Sequence, residues 1–186
     1  MRLTFHETPI AGVLEVERDP IRDTRGHFAR LFCLEEFAAT ESFSHGPVQV
    51  NLATTAIAGT VRGLHFQLTP LLGPGEGKLV TCVSGSAFDV AVDLRPGSPT
   101  RFRHHAISLR AEGTRSIVIP PGVAHGMQAL EDETTLLYLH GAPYTPDLER
   151  GVRFDDPDLA IPWPLTARGL SERDRKLPFS SELRMT

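Results

Sequence analysis

The amino-acid sequence predicts an all-β sandwich or barrel of antiparallel strands, with a few short helices and a loop-rich C-terminal segment. Short runs rich in β-branched or aromatic residues recur between Gly12 and Leu139. The turn signals between them are spaced about 8–12 residues apart, which favours an antiparallel sandwich over alternating strands and helices. No helical period is long enough to build a layer.

In chain order, strands are expected over residues 13–16, 28–32, 48–52, 79–83, 88–94, 106–109, 116–119 and 135–139. Asp23-Thr-Arg-Gly26, Ser84-Gly-Ser86, Pro96-Gly-Ser-Pro99, Pro120-Pro-Gly122 and Glu131-Asp-Glu133 separate them, and their glycines, prolines and short polar residues suit turns. Val80, Cys82, Phe88, Val90 and Val92 alternate with smaller or polar neighbours about Gly85-Ser86, so a hairpin pinned at that turn is expected. Residues 34–39 and the segment opened by Ser171 are the helix candidates, the second because serine suits an N-cap. Leu71-Leu-Gly-Pro-Gly-Glu-Gly77 reads as a mobile loop. Its Gly77-Lys78 ending is no phosphate loop, since Leu72 stands where that motif needs glycine and Leu79 where it needs a hydroxyl for magnesium. The prolines at 143, 146, 157, 162 and 164 indicate a last segment that wraps over the sandwich as loops.

Composition narrows the function. A chain of 186 residues, 40% hydrophobic, suits one domain spanning residues 1–186. Lys+Arg 19 against Asp+Glu 23, with no basic run, makes nucleic acid an unexpected partner. The apolar runs fall far short of the roughly 20 residues a membrane span needs, and the N-terminal residues lack an apolar signal core. A cytoplasmic location without membrane contact is therefore expected. Cys33 and Cys82 form neither a disulfide framework nor a CxxC pair.

A sandwich encloses space between its sheets, so reactive residues on strand-like sequence are candidates to line it. Gln49 and Asn51, two apart, share a strand face. Arg62 and His65 lie in one short run, and His125 in another. A metal site would need a His-x-His pair, but the sequence reads His65-Phe66-Gln67, so no metal is expected. His104 and His105, being adjacent, point to opposite faces and suit a solvated surface.

Asp23-Thr-Arg-Gly-His-Phe28, Gln49-Val-Asn51, Val61-Arg-Gly-Leu-His-Phe-Gln67, Gly77-Lys-Leu-Val80, Asp89-Val-Ala-Val-Asp-Leu-Arg95, Ile119-Pro-Pro-Gly-Val-Ala-His-Gly126 and Leu170-Ser-Glu-Arg-Asp174 follow in this order. Together they resemble the dTDP-4-dehydrorhamnose 3,5-epimerase family, from about Ile10 to Pro178. The resemblance implies a cupin-type jelly roll, a homodimer, no metal or organic cofactor, and a nucleoside-diphosphate-linked 4-keto-6-deoxyhexose as substrate. It further implies His65 as general base, Asp174 or another nearby carboxylate as its orienting partner, Tyr138 as acid on the opposite face, and Lys78 as the cation near the C4 oxygen. By the same resemblance Arg25, Phe28, Arg30, Gln49, Asn51, Arg62, His125, Tyr144, Glu149 and Arg173 bind substrate. Arg30 stands where family members commonly carry glutamate on the nucleotide side, so the nucleotide base stays open, as does the choice between C3, C5 or both.

The residue types suit that chemistry. Inversion beside a ketone needs a base to take the α-proton, a cation to hold the enolate oxygen, and an acid on the other face. Histidine suits the first task, and tyrosine, with an ordinary pKa of about 10, the last. A 3,4-ketoisomerase and a non-catalytic sugar-nucleotide-binding cupin are the alternatives. The diphosphate leads to the expectation that Arg25, Arg62, Lys78 and Arg173 converge into a basic pocket within a mildly acidic protein.

Overall fold

A computed structural model describes residues 1–69 and 75–183. The expected loop at 71–77 therefore lies, up to residue 74, outside the described residues. Strands β1 (Leu3–Glu7), β2 (Leu14–Arg18), β10 (Arg115–Ile119), β7 (Lys78–Ser84), β12 (Thr134–His140) and β5 (Gln49–Thr55) form one antiparallel sheet in that spatial order. A second holds β13 (Glu149–Gly151), β6 (Val61–Gln67), β11 (Val123–Ala129), β8 (Ser86–Asp93) and β9 (His104–Arg110). The two face each other as a jelly-roll sandwich, as expected. Helices are short: α1 (Leu34–Phe37) and α2 (Glu172–Arg175), the latter capped by Ser171 Oγ, which accepts from the Asp174 amide. Among the described residues no helix is long and apolar enough to cross a membrane.

The core sits in three layers. Between the sheets, Val80, Cys82, Ile117, Ile119 and Leu136 of the first meet Ala87, Ala91, Ile107, Leu109, Val123 and Met127 of the second. The outer face of the second sheet is covered by the C-terminal segment, where Val152, Leu159 and Ile161 pack on Leu64, Phe66, Val90 and Val92. Phe37 and Phe43 cover Leu79 and Val118 on the outer face of the first. Burying the Val, Leu, Ile, Met and Phe side chains among these stabilises the fold by about 1.5–3 kcal/mol each before the loss of chain entropy is counted.

The inward rows change character along their length. On β12 the inward residues run Leu136, Tyr138, His140; in register beside them on β7 run Cys82, Val80, Lys78. On β11 His125 interrupts an otherwise apolar row of Val123, Met127 and Ala129. The rows of β7 and β12 are apolar at one end and reactive at the other, so the interior holds a dry core beside a polar cavity.

Three expectations are corrected. Residues 79–94 are not a hairpin: β7 belongs to the first sheet and β8 to the second, so the chain changes sheet at Gly85. Gly85 has φ +69°, and a Cβ there would stand 2.7 Å from Thr134 Oγ1, so the crossing needs glycine. Alternation with period two reads the same in a hairpin as in two strands that face each other across a core. Residues 29–32 are not strand; only Phe28 belongs to β4 (Gly26–Phe28), which pairs with β3 (Ile21–Asp23) in a separate two-stranded arm. His104 and His105 do point apart, but neither is simply solvated: His104 Nδ1 meets Leu159 O at 3.0 Å and His105 Nε2 meets Glu15 at 2.9 Å.

Asp93, fully buried, anchors the turn after β8 by accepting from Arg95, Ser98 Oγ and Thr100 Oγ1, the last two at 2.6 Å. Burial works against its ionisation, but the hydrogen bonds from Arg95, Ser98 and Thr100 outweigh it and hold the carboxyl at about 2, against an ordinary 3.8. A folded pKa below the unfolded one contributes stability above the unfolded value, lost as pH falls through the folded value. Asp93→Asn is expected to cost about 2–3 kcal/mol at pH 7. In urea titrations the gap to wild type should shrink between pH 4 and pH 2, roughly the window between unfolded and folded values; a gap independent of pH would contradict this role.

Candidate active site

The polar end opens into a cavity of about 890 Å³. His65 enters it from β6 and His125 from β11, and the two are cross-strand partners. A bulge between His125 and Met127 resets the register, and Gly126 within it lies so close to Gly63 that a Cβ on Gly63 would stand 2.6 Å from Gly126 Cα. Lys78, Tyr138 and His140 enter from the first sheet, Asn51 from β5, and Asp174 and Arg173 from α2.

His65 Nε2 lies 2.7 Å from Asp174 Oδ1. An ionised carboxylate only accepts, so Nε2 carries the proton and Nδ1, with no partner among the described residues, is left to take one. Burial opposes ionisation of Asp174, yet the His65 hydrogen bond and charge prevail and hold its carboxyl below the ordinary value. Asp174 therefore remains a carboxylate throughout the neutral range and falls silent only in acid.

Tyr138 comes from the opposite sheet and its hydroxyl has no hydrogen-bond partner among the described residues. Burial and then the Asp89 carboxylate push its pKa upward, so the phenol stays protonated and can act as an acid. His125 packs edge-on against the Tyr138 ring, with centroids 5.7 Å apart, and its Nε2 meets the buried Asp89 Oδ2 at 2.8 Å. Lys78 Nζ donates to His65 O at 3.3 Å and pairs with Glu76 at 3.3 Å.

Of the residues expected at the site, Asn51, Arg62, His65, Lys78, His125, Tyr138, Tyr144, Glu149, Arg173 and Asp174 line this one cavity. Gln49 stands beside it, donating to Asn51 Oδ1 at 3.3 Å and accepting from the Tyr144 amide at 3.1 Å. Arg25, Phe28 and Arg30 do not reach it. Arg25 pairs with Asp23 and, with Phe28, lines a separate cleft on the arm; Arg30 pairs with Glu36 at 2.6 Å. The arm stands apart from both sheets with all of its strand residues exposed.

The expected basic pocket is corrected too. Lys78 faces Glu76, Arg173 grips Glu149 with both Nη atoms at 2.9 and 2.8 Å, and His65 faces Asp174, so the cavity is nearly balanced in charge. Arg62 is the exception. Its Nε donates to Thr55 Oγ1 and an Nη to Thr54 O, and no carboxylate meets it among the described residues. Sequence reasoning missed Glu76 and His140. His140 lies two residues beyond Tyr138, hence on the same strand face, one position past the expected strand end. Glu76 was hidden in a glycine-rich stretch. Among the described residues, no three His, Cys, Asp or Glu side chains are grouped to hold a metal ion.

The family model described as dTDP-4-dehydrorhamnose 3,5-epimerase matches residues 7–182. A dTDP-4-dehydrorhamnose 3,5-epimerase of Sinorhizobium fredii is 40% identical over 180 residues, 96% of this chain and 90% of that protein. A dTDP-4-dehydrorhamnose 3-epimerase of Streptomyces niveus is 39% identical, over 94% of this chain and 83% of that one. The crystal structure of a 4-keto-6-deoxy sugar epimerase from the novobiocin biosynthetic gene cluster of Streptomyces spheroides superposes with a TM-score of 0.89 at 38% identity, covering 98% and 89% of the two chains.

Proposed function

The chain belongs to the dTDP-4-dehydrorhamnose 3,5-epimerase family, and on that premise we propose how its residues divide the work of inversion. It is an enzyme of the isomerase class, an epimerase of nucleotide-linked 4-keto-6-deoxy sugars. The observation that carries the assignment is the pair His65 and Tyr138. They enter one cavity from opposite sheets, each with a reactive atom that no described residue engages.

His65 Nδ1 removes the proton from the carbon beside the C4 ketone, and Asp174 stabilises the imidazolium that forms. The electron pair moves onto the C4 oxygen, where the Lys78 ammonium holds the enolate. Tyr138 then donates its hydroxyl proton to the opposite face of the same carbon, completing inversion. Arg62, the guanidinium without a carboxylate, faces the diphosphate, and Gln49, Asn51, His125, Tyr144, Glu149 and Arg173 hold sugar and nucleotide. No step in this scheme calls for a metal or an organic cofactor.

Arg25 and Phe28 find their place in a homodimer, the arm of one copy reaching the cavity of the other. An isolated pair of three-residue strands is not stable by itself. Phe28 is 67% exposed, and Val50 and Leu52 on the edge strand β5 are 60% and 67% exposed, so a second copy has apolar surface to cover. Sedimentation equilibrium is expected to give twice 20.4 kDa. The free thiols of Cys33 and Cys82 accord with a cytoplasmic setting.

The reaction is tested by incubating the protein with the dTDP-, CDP- and GDP-linked 4-keto-6-deoxyglucose and reading proton coupling constants of the hexose. Inversion at C3, C5 or both is expected on at least one. A product whose carbonyl has moved to C3 would make it a ketoisomerase, and recovery of all three sugars unchanged would overturn the enzyme reading.

A further inference from the structure

We propose that Glu76 and His140 are positioning residues for Lys78, keeping its ammonium charged and aimed at the point where the enolate oxygen develops. The inference rests on the reaction proposed above for the same cavity.

Glu76, Lys78 and His140 are each about nine-tenths buried, at 8% exposure. Three ionisable groups taken out of water together are costly unless they answer one another. Here the donors and acceptors fit a single continuous assignment. The Tyr144 amide donates to Gln49 Oε1, Gln49 Nε2 to Asn51 Oδ1, and Asn51 Nδ2 to His140 Nε2 at 3.3 Å. An acceptor Nε2 leaves the proton on Nδ1, which donates to Glu76 Oε1 at 3.0 Å. Glu76 Oε2 receives Lys78 at 3.3 Å, and Lys78 also donates to His65 O. An ammonium has three N–H donors, so one remains for a substrate oxygen.

The chain thus runs from the pocket wall to the catalytic histidine's own backbone and ends on the one lysine in the site. Burial resists ionisation of Glu76, but the His140 hydrogen bond and the Lys78 charge hold its carboxyl below the ordinary value. The titratable groups facing this end are Glu76 on the approach to β7, His140 and Tyr138 on β12, and His65 on β6 with Asp174 behind it. Of these, Glu76 is the carboxylate that touches Lys78. A merely structural reading is available, since Glu76 also tethers residues 75–77 to β12, where Gly141 N donates to Gly77 O. The two differ in what happens to the charge of Lys78.

The chain has two lysines, Lys78 and Lys176, so protein labelled with ¹³C at lysine Cε gives two signals, assigned through Lys176→Arg. In Glu76→Gln the Lys78 signal is expected to titrate at least about one pH unit lower than in wild type, because burial is no longer opposed by a counter-charge. Where Lys78 loses its proton in Glu76→Gln, kcat should fall below wild type by up to about tenfold for each pH unit of that shift, with KM little changed, and the ratio to wild type should recover towards one on acidification, where the ammonium returns. The dependence on His65 cancels in that ratio. His140→Asn, whose amide replaces the Nδ1 donor, should stay within about threefold of wild type, whereas His140→Leu should lose more. Glu76→Asp, keeping the charge, should leave Lys78 titrating near its wild-type range, and this comparison with His140→Leu serves if Glu76→Gln does not fold. A Lys78 signal unmoved by loss of the carboxylate, or a rate ratio flat with pH, would overturn the proposal. If the Lys78 titration moves but wild-type protein epimerises none of the sugars, the reaction fails and the positioning of Lys78 stands.

Discussion

Replacing His65 with asparagine is expected to lower kcat by about 100- to 10,000-fold, the range that a positioned general base contributes. One ring nitrogen of the imidazole is fixed by a carboxylate, at 2.7 Å from Asp174, and the other has no partner among the described residues. Asparagine preserves polarity and approximate size but cannot take a proton at neutral pH. The loss should therefore fall on kcat, with KM and the thermal midpoint near wild type. Deuterium exchange at C3 and C5 should disappear with turnover, because abstraction precedes every later step. Asp174→Asn should give a smaller loss, at least about tenfold, since the imidazolium loses its counter-charge and its fixed tautomer but remains a base. Wild-type rates from His65→Asn would move the base elsewhere in the cavity.

Replacing Tyr138 with phenylalanine should separate the two halves of the reaction. The ring packs against His125 at 5.7 Å and His140 at 6.0 Å between centroids, so phenylalanine keeps the packing and removes only the hydroxyl. His65 can still form the enolate and return a solvent-derived proton to the face from which it came. Net inversion is expected to fall about 100-fold or more while exchange with retained configuration persists. Equal loss of exchange and inversion would show that Tyr138 also serves proton removal. Inversion at the wild-type rate would exclude it as the acid.

What was legible in the sequence follows from what period and composition encode. Alternation marks inward positions, so the all-β class and rows such as Val80 and Cys82 could be read directly. It does not say which strand a row faces, and the chain passing at Gly85 from one sheet to the other was accordingly read as a hairpin. Strands β6 and β11 escaped because Gly63, Gly126, Arg62, His65 and His125 dilute their apolar content, and those same residues build the site. The reactive pair and its neighbours were legible through the motifs that carry them. The balance of charge was not: packing brings Glu149 to Arg173 across 24 residues, and Glu76, though only two residues before Lys78, lies in a glycine-rich stretch ahead of the strand. Arg25 and Phe28 stand outside the cavity because, among the described residues, the strands of their arm pair only with each other and lie exposed.

The central claim is that one carbon loses its proton to His65 and receives another from Tyr138 on the opposite face, through an enolate held by Lys78. Running the reaction of wild-type protein in D₂O and following the hexose by NMR tests it most directly. Each carbon whose configuration inverts is expected to carry one deuterium, with the carbonyl still at C4. Inverted product that keeps its original proton would contradict the account.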